Sequence, residues 1–70
     1  MSGAQATEPA TTVHVEPDPT GRWSVRRDSE SLPLSRHTSA TMAELAARAL
    51  DRRVVVVVHD RYGRIHTRRP

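Results

Sequence analysis

Four histidines are the side chains best suited to metal or proton chemistry, because the 70 residues include no cysteine. A metal site would have to combine histidine nitrogens with carboxylate oxygens. His59 and His66 lie on neighbouring predicted strands, but the register argued below points their side chains to opposite faces of a sheet. We therefore interpret the histidines as structural or solvent-exposed residues and expect no metal site. The four are His14, His37, His59 and His66.

Nucleophilic catalysis and phosphate binding by a glycine-rich loop are also poorly supported. Hydrolysis needs a nucleophile beside a base and an oxyanion hole, and no serine between Ser24 and Ser39 sits in a strand-turn-helix elbow. Gly3, Gly21 and Gly63 are isolated, so they form no glycine-rich loop. We predict that the protein is not an enzyme, binds no cofactor and has no evident small-molecule substrate.

Positive charge is carried entirely by arginine. The eleven basic residues give a formal net charge of +3, and six of these arginines lie in residues 51–70. Two explanations stay open. The arginines reflect codon bias in a GC-rich genome, or an arginine-rich face recognises phosphate or carboxylate groups. A net charge of this size permits nucleic acid binding without requiring it.

A run of five valines begins at residue 54 and predicts a strand. Alternate side chains of a strand point to opposite faces, so Val54, Val56 and Val58 share one face while Val55 and Val57 share the other. A run without polar alternation predicts that both faces are covered. One helix can cover one face, and the other then needs a partner, another chain or tolerated exposure.

Two hairpins provide the other strands. Alternating segments around the turn-rich Pro17–Gly21 predict a first hairpin, in which Val13, Val15, Trp23 and Val25 share one apolar face. The residues between this hairpin and the helix read as a polar loop with room for a short edge strand.

A second hairpin follows the valine run. Asp60 and Gly63 suit a type I turn with Gly63 in the left-handed region. This turn sets a register in which Val58 lies opposite His66, and His59 opposite Ile65.

A helix is predicted between the hairpins. Thr41-x-x-Glu44 is a capping box, and Arg52 and Arg53 close the helix where positive charge suits its dipole. Its sheet-facing residues are predicted at i, i+3, i+4, i+7 and i+8, namely Met42, Leu45, Ala46, Ala49 and Leu50. The fold class is therefore α+β, a four-stranded antiparallel sheet with one helix on one face, in ββ-α-ββ order. Residues 1–12 are predicted to be a disordered tail and residues 13–69 a single small domain.

Five short motifs between about Val13 and Ile65 carry a family resemblance. They are His14-Val15-Glu16-Pro17, Gly21-x-Trp23-x-Val25, Thr41-x-x-Glu44-Leu45-Ala46, Val57-Val58-His59-Asp60 and Gly63-Arg64-Ile65. Together they resemble the small bacterial family called domain of unknown function 2188. The helix start and the arginine-rich end depart from what we expect of that family. The resemblance implies a fold but no established activity, so it assigns no functional residues.

With Trp23 and Ile65 facing the helix, the opposite sheet face would carry a basic rim around an apolar centre. Its predicted members are Arg22, Arg26, Val54, Val56, Val58, Arg64, His66 and Arg68. We expect this face to bind a protein partner or a second copy of the chain. The alternative is a nucleic-acid-binding protein whose arginines contact phosphates. A third reading is that long arginine side chains simply cover the valines.

The sequence also bears on location. The valine run is far shorter than the about 20 apolar residues that span a bilayer. Residues 1–12 lack the basic and apolar regions of a secretory signal. We therefore expect a cytoplasmic protein with no membrane partner.

Overall fold

The computed structural model describes residues 11–70, which form five strands and one helix. The predicted tail lies outside the described residues except for its last two positions. The elements are β1 (Thr12–Pro17), β2 (Trp23–Arg27), β3 (Ser35–His37), α1 (Ala40–Arg48), β4 (Val55–His59) and β5 (Ile65–Arg68).

The strands form one mixed sheet in the order β3-β2-β1-β4-β5, and α1 packs on one face. Neighbours pair antiparallel except β1 and β4, which are parallel. The fold class is thus α+β as predicted, but the four-stranded antiparallel sheet is wrong. A third strand follows the first hairpin, and the crossover through β2, β3 and α1 is long enough to return β4 parallel to β1.

Both predicted hairpins form. In the first, Val15 lies opposite Val25. In the second, Val58 lies opposite His66 and His59 opposite Ile65, which is the predicted register. Gly63 has a φ of +83°, a conformation that glycine adopts without steric cost. Turn chemistry therefore fixes the pairing within each hairpin.

The core lies between α1 and one face of the sheet. It is built mainly from valine and alanine, and Val13, Val15, Ala43 and Ala47 have no exposed surface. The complete set is Val13, Val15, Trp23, Val25, Ala43, Ala47, Val54, Val56 and Val58. Because Val13 pairs with Val56 across the parallel strands, the central strands present one continuous valine layer to the helix.

The helix begins two residues before its predicted start. Ser39 is the N-cap, and its hydroxyl accepts a hydrogen bond from the Met42 amide at 3.2 Å. The capping box at Thr41 is therefore wrong, because Thr41 lies inside the helix and Glu44 binds Arg68 instead. The helix ends at Arg48, before the arginines expected to close it.

The helix also turns a different face to the sheet. Ala43 and Ala47 are buried, whereas Met42, Leu45 and Leu50 are exposed by 53%, 59% and 42%. The predicted sheet-facing stripe is therefore wrong for Met42, Leu45, Ala49 and Leu50, and of its members only Ala46 packs against the core. The sheet already supplies large core residues such as Trp23, so alanine is what fits between the two layers.

The described part of the chain has no helix long and apolar enough to cross a membrane, since α1 has nine residues.

Candidate interaction surfaces

The predicted interaction face does not exist as one surface. Val54, Val56 and Val58 are 4%, 1% and 7% exposed and lie in the core beside the helix. The face assignment was wrong because Ile65, expected to point inward, is 60% exposed on the other side of the sheet. Register alone says which residues share a face, but not which face the helix covers.

The predicted arginines are divided between the two faces and the loops. On the face away from the helix, Arg26 binds Glu16 with an Nε–Oε2 distance of 2.9 Å. On the helix side, Arg68 reaches α1, where its Nε lies 3.0 Å from Glu44 Oε1. Arg22 is exposed just before β2. These side chains do not converge on a single patch.

Arg64 and His66 bind within their own hairpin. Arg64 Nε lies 3.0 Å and His66 Nε2 lies 3.2 Å from Asp60 Oδ2. Asp60 Oδ1 also accepts hydrogen bonds from the Tyr62 and Arg64 amides. These donors, led by the Arg64 amide and opposed by desolvation, hold the pKa of Asp60 well below its usual value. This carboxylate therefore organises the turn.

The Glu16–Arg26 pair belongs to the open sheet face, which we define as the face away from α1. The hydrogen bond from Arg26 lowers the pKa of Glu16, although partial burial opposes that shift. The same bond raises the pKa of Arg26. Both groups therefore stay charged at neutral pH, and Arg26 is already neutralised by a neighbour.

Two histidines meet on the open sheet face. His14 Nδ1 lies 2.9 Å from His59 Nε2, and His14 Nε2 lies 2.6 Å from Asp28 Oδ1. The histidine contact is a hydrogen bond when one of the two facing nitrogens carries a proton. Sequence reasoning missed this pair, because it depends on the parallel placement of β1 beside β4.

The histidine pair does not extend to a recognisable metal centre. Within residues 11–70, no group of three or more histidine, aspartate or glutamate side chains is placed to hold a metal ion. Beside the pair, Val55 and Val57 are half-buried and Ile65 is exposed. The open sheet face thus joins a modest apolar strip to a polar histidine pair.

An unexpected apolar surface lies on the helix and just beyond its end. We define the outer helix face as Met42 and Leu45 of α1 with Ala49 and Leu50, which directly follow its end at Arg48; all four residues are exposed. These residues belong to the stripe that the spacing predicts to face the sheet. The spacing therefore finds an apolar face, but that face points to solvent and not to the sheet. The competing signal was the alanine spacing at Ala43 and Ala47, which also fits one helical face.

Residues 13–69 match the family model DUF2188, described as an uncharacterized protein conserved in bacteria. Because this match spans most of the chain, the chain belongs to that family, as the sequence motifs indicated. No curated protein and no solved structure matches the chain. The family description names no activity, so function has to be argued from the surfaces described above.

Proposed function

We propose that this DUF2188 member is a small self-associating module whose outer helix face pairs with the same face of a second copy. The observation that carries the proposal is the exposure of Met42, Leu45 and Leu50 by 53%, 59% and 42%. Exposed apolar side chains are common singly, but a contiguous set on one face marks an interaction site more often. These three residues lie within nine positions of one another.

The outer helix face is not needed to complete the core. Ala43 and Ala47 already close the contact between helix and sheet, with no exposed surface. Met42 and Leu45 are large side chains with half or more of their surface in water. Burying them against another chain would recover hydrophobic free energy that folding alone leaves unused.

A second copy fits the charge pattern of the helix. In an antiparallel pair centred near Leu45, Met42 of each copy lies opposite Ala49 of the other, a large residue against a small one. Arg48 has no carboxylate partner within residues 11–70, and the antiparallel pair brings it towards Glu44 of the second copy, where it would share that carboxylate with Arg68. A two-fold contact of this kind is self-complementary. The helix is short, so we expect a weak dimer that forms at high protein concentration.

Sedimentation velocity of the full chain over a range of concentrations tests this proposal. We expect the wild-type chain to shift from monomer to dimer, and Leu45→Glu to remain a monomer with an unchanged circular dichroism spectrum. Leu32→Glu is the matched control. Leu32 is 76% exposed in the loop before β3, so this variant should dimerise like the wild type.

Two results would overturn the helix contact. One is a wild-type chain that stays strictly monomeric at the highest concentration reached. The other is a dimer that survives Leu45→Glu but is lost in Ile65→Glu. That second result would assign the association to the open sheet face, where Ile65 is 60% exposed.

Nucleic acid binding through the predicted arginine face is the weaker candidate. Arg26, Arg64 and Arg68 are each paired with a carboxylate of the same chain. Phosphate contacts there would have to compete with those pairs. A gel shift on duplex DNA at low salt tests the candidate, and steep loss of binding with added salt would support it.

A further inference from the structure

The sheet is wider than the helix that covers it. Neighbouring strands are about 4.8 Å apart, so five strands extend over roughly 19 Å, while a helix with its side chains is about 10 Å across. The helix packs against β1, β2, β3 and β4, and every residue of β5 is exposed. A cleft of about 220 Å³ remains between the end of α1 and the end of β5.

We define this basic cleft by four arginines, two valines, one aspartate and one proline. Val54 and Val56, which are almost fully buried, line it together with Asp51 and Pro70. The arginines come from the end of the helix, the loop after it and the end of β5. They are Arg48, Arg52, Arg68 and Arg69.

Most of this positive charge is not neutralised by carboxylates within residues 11–70. Arg48, Arg52 and Arg69 make no ion pair within residues 11–70, and only Arg68 does, through its Nε and Glu44. Counting side chains alone, Glu44 and Asp51 set against the four arginines leave a net charge of +2 around the cleft. Like charges gathered around one cleft repel one another, and a bound anion would remove that repulsion.

The aspartate in the cleft is held by other groups. Asp51 Oδ1 accepts the Arg53 amide at 3.0 Å, and Asp51 Oδ2 accepts the Thr11 hydroxyl at 3.3 Å. One oxygen therefore accepts a hydrogen bond from within the loop between α1 and β4, and the other ties that loop to Thr11, just before β1. Within residues 11–70, neither oxygen contacts a guanidinium group of the cleft.

We propose that the basic cleft binds the phosphate group of a small phosphorylated ligand. Guanidinium groups donate paired hydrogen bonds that match the oxygens of phosphate, and a dianionic phosphate monoester matches the net charge of the cleft. The volume is below the about 300–1,000 Å³ of pockets that hold drug-sized ligands. A single phosphate group with a small substituent therefore fits better than a large cofactor. The site is separate from the outer helix face and does not depend on self-association.

Titration of the ¹⁵N-labelled full chain with glycerol 3-phosphate, at constant ionic strength, tests the site by NMR. We expect saturable amide shifts confined to residues 48–56 and 66–69, with inorganic phosphate acting on the same amides and acetate having little effect. Arg52→Gln and Arg69→Gln should each weaken binding by roughly three- to tenfold, since each removes a charged donor at a partly exposed site.

Two further variants separate specific binding from general charge and from damage to the fold. Arg22→Gln makes the same charge change near the other end of the sheet, where Arg61 reaches the Gly21 carbonyl oxygen at 3.5 Å, so it should leave affinity unchanged. Asp51→Asn removes the negative charge in the cleft and should strengthen binding. A variant that only disturbed the fold would not raise affinity.

Three results would overturn the proposal. The first is the absence of saturable shifts with either phosphate probe. The second is equal weakening by Arg22→Gln and Arg52→Gln, which would mean nonspecific attraction. The third is a short duplex DNA that shifts the cleft amides when glycerol 3-phosphate does not, which would make the cleft part of a nucleic acid surface.

Discussion

At the scale of single residues, Asp60 shows why the basic side chains of the β4–β5 hairpin need not be available to a binding partner. Its Oδ1 accepts hydrogen bonds from two amides, while Arg64 Nε and His66 Nε2 both approach Oδ2. The sequence placed Arg64 and His66 correctly on the second hairpin. It could not show that both side chains fold back onto the turn, because that depends on side-chain positions.

Asp60→Asn should weaken the response of stability to acid. Because the pKa of Asp60 is lowered in the folded protein, its charge stabilises the fold above the ordinary aspartate pKa of 3.8. That contribution is lost as pH falls towards the folded pKa. We expect Asp60→Asn to be less stable than wild type at neutral pH but to lose less stability between about pH 5 and about pH 3. Urea unfolding at several pH values measures both effects.

Glu30→Gln is the control for the acid response. Glu30 is exposed, and its carboxylate contacts no other side chain within residues 11–70, so removing its charge should leave the wild-type slope of stability against pH. Identical acid slopes for Asp60→Asn and wild type would contradict the role given to Asp60.

At the scale of elements, local chemistry predicts pairing well and orientation poorly. The Asp60–Gly63 turn was enough to give the register of β4 and β5. The helix was also predicted, but its sequence has two apolar faces, one with Met42 and Leu45 and one with Ala43 and Ala47. The i, i+3, i+4, i+7 and i+8 spacing predicts the first face as the buried one. The second is buried because helix and sheet approach closely at alanine.

The helix cap gives a test with a matched pair of hydroxyl deletions. Ser39→Ala should destabilise the domain by about 1 kcal/mol, because the Met42 amide loses its acceptor. Thr41→Ala should change stability little, since Thr41 is an exposed residue inside the helix. Urea midpoints of the two variants measure the difference. A larger loss for Thr41→Ala would restore the capping box predicted from the sequence.

At the scale of the whole molecule, the alanines of α1 set the distance between the two layers. Ala43 and Ala47 have no exposed surface, whereas Ala49 is exposed. At this distance the helix buries the valines on its side of the sheet. Sequence patterns could not supply it, nor the parallel pairing of β1 and β4, because both depend on contacts between distant segments. The candidate interaction face was therefore only partly predictable.

Ala47→Leu should force the layers apart. Adding a branched side chain to a filled core costs about 1–3 kcal/mol, and thermal unfolding should show a clearly lower Tm. Ala49→Leu makes the same chemical change on the outer helix face and should leave the Tm of the monomer nearly unchanged. Equal Tm values for the two variants would mean that Ala47 is not at the contact between helix and sheet.

The parallel pairing of β1 with β4 also has a consequence for how the chain folds. Each hairpin closes a short loop, but the pairing of Thr12 with Val55 joins segments separated by most of the domain. Loop-closure entropy makes such distant contacts slow to form. We therefore expect the hairpins to form early and the β1–β4 junction to limit the folding rate. During synthesis, β1 has an unpaired edge until the valine strand emerges from the ribosome.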